Sequence, residues 1–84
     1  MQVAGASDPQ LRALGEAVRK RRLELGVSQE ELSFRSDLDR TYISGVERGV
    51  RNPTVKSLWK ISVALETQPS ALLLTAEDSL ERAS

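Results

Sequence analysis

Apolar residues recur along this chain at the spacing of helices. From Leu11 they return at Leu14, Val18 and Leu25, in steps of three, four and seven, which predicts an amphipathic helix that Pro9 opens and that stops before Gly26. Leu32 in one short segment, and Ile43 with Val46 in the next, mark the inner faces of two further helices. Val55, Leu58, Ile61 and Leu65 predict a fourth, with Trp59 and Val63 as a second apolar stripe; such breadth implies burial on more than one side. Pro69 suits the first position of a fifth helix through Leu72, Leu73 and Leu74. The expected fold is therefore all-α, a single domain over 9–75. It is preceded by a flexible leader at 1–8 and followed by a frayed acidic tail at 76–84, polar apart from Leu80.

Polar residues between the stripes carry the punctuation. Ser28 followed by Glu31 has capping-box spacing, so a helix of about nine residues starts near Ser28. Asp37 and Leu38 bring turn chemistry, Asp39 is a good N-cap for a helix opening on Arg40, and Gly49 stands where a C-cap glycine belongs. Small Ser33 sits where the two helices come closest. Two short helices joined by a tight turn make a helix-turn-helix at helices two and three. The outer face of the second is then Arg40, Thr41, Ser44, Gly45 and Arg48, which donates hydrogen bonds and carries no carboxylate. After it, Asn52-Pro53 signals a loop and Thr54 a cap for the fourth helix.

Arg22 falls on the apolar stripe between Val18 and Leu25. A guanidinium there needs a partner, for which Glu47 is the candidate, or an escape of its head to water above an apolar stem. Neighbouring Arg19, Lys20 and Arg21 read as a solvated helix face that adds only non-specific attraction to polyanions. Tyr42 is suited to packing as a half-buried aromatic.

With 84 residues, the chain is near the lower size at which one core stabilises itself without metal or disulfide. It has no cysteine and no histidine, which excludes disulfides, zinc fingers and thiol or imidazole catalysis, and no metal or cofactor is expected. Glu30 and Glu31 are better explained by first-turn and capping roles than as an acid-base pair, so an enzyme is not expected. Residues 1–10 lack the features of a signal peptide and no run is long enough to span a membrane; the expected location is the cytoplasm. Net charge is zero, yet residues 1–60 hold 11 Lys and Arg against 8 Asp and Glu, while residues 61–84 hold 1 against 4. A basic half bearing the reading helix is compatible with duplex DNA as partner.

The segments RLELGVSQEEL, TYISGVERG and NPT, together in register, resemble the superfamily of phage repressors, Cro proteins and their bacterial relatives. Within it, SDLDRTYISGVERGVRNPTVKSLWKI is similar to the controller proteins that time restriction-modification genes. The resemblance implies that Arg40, Thr41 and Ser44 face base edges in the major groove. It further implies that Ser28 and Gln29 at the start of helix two, Tyr42, and Arg48, Arg51 and Asn52 hold the sugar-phosphate backbone. It implies a buried ion pair of Arg22 with Glu47. Two departures stand out: Asp37 occupies a turn position usually held by Gly, and Ser33 replaces a more common Ala.

The surplus of apolar residues on the last two helices, Trp59, Val63, Leu72 and Leu73, predicts a two-fold homodimer that spaces two reading helices about one DNA turn apart. The expected function is a dimeric transcription regulator, repressor or activator, on a symmetric operator, with RNA polymerase as a further partner and autoregulation as the family resemblance implies. The alternative is a protein-interaction module, such as an antitoxin or bridging factor, that uses its acidic tail to engage a partner.

Overall fold

The computed structural model describes residues 8–83, which form five helices: α1 (Pro9–Glu24), α2 (Gln29–Ser36), α3 (Arg40–Arg48), α4 (Val55–Ala64) and α5 (Pro69–Ala83). Four of the starts are fixed by a side-chain oxygen on an unpaired backbone N–H. Asp8 accepts from the N–H groups of Gln10 and Leu11, Ser28 from Glu31, Asp39 from Thr41 at 2.7 Å and Thr54 from Ser57. Only half of the capping box forms at Ser28. The Glu31 carboxylate turns along the helix to Arg35 at 3.1 Å instead of reaching back.

The ends are equally local. Gly49 closes α3 at φ 79°, and the N–H groups of Val50 and Arg51 fold back onto the Gly45 carbonyl at 2.9 and 3.2 Å. Asp37 closes α2 in the left-handed region at φ 60°, a conformation tolerated by Asp less readily than by Gly. Ser33 contributes to the same turn, because its hydroxyl donates to the Leu38 carbonyl. The hydroxyl that distinguishes this serine from alanine therefore ties α2 to the turn that Asp37 must make.

Helix α1 packs chiefly against α5 and α3, while α2 lies between α3 and α4. The interior is built from Val18, Leu32, Ile43, Val46, Ile61 and Leu65, all essentially inaccessible. Burial of each such side chain contributes on the order of 1.5–3 kcal/mol. Gly15 sets the distance between α1 and α3. A Cβ at that position would run into the backbone carbonyls of Val46 and Glu47. Gly15→Ala should therefore destabilise the fold by about 1–3 kcal/mol, although alanine is worth about 1 kcal/mol more than glycine in a helix. Chemical denaturation checks the sign, and a stabilised variant would mean that the two helices separate without cost.

Three expectations from the hydrophobic pattern need correction. The stretch 76–83 is not a frayed tail but the second half of α5, with Ala76 buried and Leu80 packed against the core. The stripe there is Leu72, Ala76 and Leu80 at four-residue intervals, and its middle member is too small to register as a hydrophobic signal. Leu72 is 3% exposed and belongs to the protomer's own core, so it is not available to a dimer interface. Val55, expected inward, is exposed at the first position of α4. The leader expected at 1–8 lies outside the described residues except for Asp8, which is the cap of α1.

Candidate nucleic-acid interface

Helix α3 turns Ile43, Val46 and Glu47 inward and leaves Arg40, Thr41 and Arg48 exposed, with Ser44 half-buried between them. No acidic side chain of α3 lies on that face, because Glu47 is buried and Asp39 is engaged as the cap. Arg48 Nε lies 3.4 Å from Ser44 Oγ, so two of the expected DNA-facing side chains touch each other in the free protein.

Gly45, expected on the open face, is buried, and the side chain that covers it is Arg51. A Cβ on Gly45 would stand 2.5 Å from Arg51 Cγ. The Arg51 guanidinium continues over the half-buried Tyr42 ring, 5.6 Å from its centroid, within cation–π range. The loop after α3 is thus folded back onto the helix, and Tyr42 has both a packing face and a charged neighbour. Spacing along the chain gave no sign of this arrangement, which depends on the turn at Gly49. Asn52 is exposed on the same loop.

The second part of the site is the start of α2. Ser28 is exposed, with its oxygen on the Glu31 N–H. Gln29 is half-buried and its amide donates to Glu47 Oε1 at 3.0 Å. The same carboxylate receives Arg22 through two contacts, Nε to Oε2 at 2.7 Å and Nη2 to Oε1 at 3.0 Å, while Arg22 Nη1 donates to the Val27 carbonyl at 2.9 Å. Arg22 therefore pairs rather than reaching for water. The hydrogen bond to Glu47 holds the guanidinium above its usual range, burial opposes that, and charge attraction adds to it. Two parallel bonds in a buried setting give this pair a defined geometry.

Arg21 and Arg35 are occupied elsewhere. Arg21, read from sequence as a solvated charge, donates to the carbonyls of Leu65 and Glu66, and Arg35 donates to that of Ala64. Both cations cover the carboxyl end of α4, where the helix dipole is negative. Phe34, which the sequence reading passed over, projects from α2 with 84% of its surface exposed. Trp59, Val63, Leu73 and Leu74 are likewise exposed apolar residues on α4 and α5. Among the described residues, no helix is long and apolar enough to cross a membrane.

With this geometry in place, the likeness to known proteins is direct. Residues 18–72, from the middle of α1 into α5, match the helix-turn-helix family. The chain belongs to the helix-turn-helix family. Control protein C.BamHI of Bacillus amyloliquefaciens is 52% identical over 60 residues, which cover 70% of this chain and 74% of that protein. The crystal structure of the restriction-modification controller protein C.AhdI from Aeromonas hydrophila superposes with a TM-score of 0.73 at 44% identity. That match covers 74% of this chain and 94% of the other. The wild-type controller protein C.Esp1396I matches with a TM-score of 0.82 at 38% identity over 90% of this chain and 99% of that one. This helix-turn-helix protein is a DNA-binding transcription regulator, similar to the controller proteins of restriction-modification systems.

Proposed function

We propose that the chain acts as a homodimer on a two-fold-symmetric operator next to its own gene, timing restriction-modification expression by autoregulation. The observation that carries this reading is the outer face of α3: Arg40, Thr41, Ser44 and Arg48, free of carboxylate, on a helix held by a buried ion pair. In the major groove Arg40 bridges guanine O6 and N7, and Thr41 and Ser44 contact adjacent base edges. Ser28, Gln29, Tyr42, Arg48, Arg51 and Asn52 hold the backbone on either side. The dimer forms through Trp59, Val63 and Leu73, with Leu74 added and Leu72 removed from the interface. RNA polymerase is the partner that the bound dimer blocks or recruits. The rival reading, in which the acidic tail engages another protein, would use the exposed carboxylates of Glu77 and Asp78 on the second half of α5 rather than a loose segment.

The test is fluorescence anisotropy with the duplex just upstream of the gene against a scrambled duplex, at two salt concentrations, with mass followed by sedimentation. Tight, cooperative, sequence-dependent binding by a dimer is expected; equal weak binding to both duplexes refutes the reading. Arg40→Ala should cost about 1–3 kcal/mol on the operator and flatten discrimination at one base position. Arg51→Ala should weaken both duplexes alike and lower the salt slope by about 1 per protomer. Identical behaviour of the two variants would remove the division between base-reading and backbone-holding residues.

A further inference from the structure

The Glu47 carboxylate lies between two groups with different tasks. On one side it receives the buried Arg22 guanidinium; on the other, its Oε1 accepts from Gln29 Nε2 at 3.0 Å. Gln29 is the first residue of α2, an eight-residue helix. Its side chain has three rotatable bonds, and fixing such a chain on binding costs about 0.5–1.5 kcal/mol. A glutamine already held by one amide hydrogen has met that cost during folding.

We infer that Glu47 is a positioning residue for DNA: it holds the Gln29 amide ready for a backbone phosphate, and Arg22 makes that arrangement electrically possible. The inference rests on the reading of the α2 start as a backbone contact. With one hydrogen of the Gln29 amide on Glu47, the other remains for an incoming oxygen. The N-terminus of α2 adds its positive dipole end to the same place. A lone carboxylate one residue behind a phosphate contact would repel the phosphate. Glu47 does not, because Arg22 neutralises it through two bonds, and the Arg22 bond to the Val27 carbonyl fixes that cation in the α1–α2 connection. The distance between the backbone grip on α2 and the reading face of α3 is thus set by three side chains, one each from α1, α2 and α3.

The pair's contribution to stability and its contribution to positioning are separable by a double-mutant cycle on the full chain. The backgrounds are the native protein and Arg22→Met/Glu47→Leu, an apolar replacement of the kind that often preserves folding of buried pairs. Folding is checked by circular dichroism, and Gln29→Ala is made in each. Binding to the upstream duplex is read as affinity and salt slope. In the native background Gln29→Ala should weaken binding about tenfold, as expected for a lost bond to a charged group, and leave the salt slope nearly unchanged, because the amide carries no charge. In the apolar background that loss of affinity should already be present, and Gln29→Ala should add almost nothing. Equal losses in the two backgrounds would overturn the positioning role, leaving Gln29 a contact that needs no support. No loss in the native background would instead overturn the backbone contact itself, and the positioning role with it. If the apolar pair does not fold, Glu47→Gln takes its place in the cycle, because its single amide oxygen cannot serve Arg22 twice and Gln29 as well.

Discussion

Glu47→Ala should lower the stability of the fold by about 3–5 kcal/mol, a large part of the ~5–15 kcal/mol available to a small domain. The size follows from what remains behind. The Arg22 and Glu47 side chains are 9% and 3% exposed, so removing the carboxylate strands a guanidinium that has lost two of its three bonds. Arg22→Met should be comparably costly even though methionine fills the site, because the stranded group is then a buried carboxylate; this separates a true pair from a stem that merely packs. The exposed pair of Lys20 and Glu24, 3.6 Å apart and 67% and 49% exposed, supplies the control. Breaking it should change stability by less than about 1 kcal/mol. Because Arg22 is held above its usual range, the charge on its side of the pair persists at neutral pH and is lost only as the solution becomes strongly alkaline. Urea unfolding followed by circular dichroism measures all three variants. An Arg22→Met protein as stable as the native one would show that the pair contributes nothing.

What the amino-acid string disclosed, and what it withheld, divides along a physical line. Asp39 and Gly49 bound α3, and Thr54 and Gly26 bound their neighbours, as local chemistry requires, because a cap needs only residues within one turn. The Arg22–Glu47 pair was a candidate from a charge on an apolar stripe, and the resemblance strengthened it. The Gln29 bond to that pair was not legible, since it depends on how α2 crosses α3. For the same reason, the fold of Arg51 over Gly45 and Tyr42 and the capping of α4 by Arg21 and Arg35 escaped a one-dimensional reading. The second half of α5 was missed because alanine carries a stripe without announcing it.

Val63→Glu should reduce operator affinity by about 10²–10⁴-fold while leaving the protomer folded. Val63 is 66% exposed, so a polar residue there costs the isolated protomer within about 0.5 kcal/mol. In the proposed dimer the same position is covered by a second copy, beside Trp59 on the same face of α4, and a carboxylate buried there without a partner is expensive. Dimerisation fails first. Operator affinity then falls because each reading helix must bind its half-site alone, without the effective concentration that a joined partner provides. The single tryptophan supplies an internal reporter, being 55% exposed in the protomer and covered in the proposed dimer. Its emission should shift to shorter wavelength as the native protein is concentrated, and should stay fixed for Val63→Glu over the same range. Sedimentation gives the mass independently. A Val63→Glu protein that remains dimeric and binds the operator normally would place the interface elsewhere on the surface, with exposed Phe34 on α2 the next face to substitute.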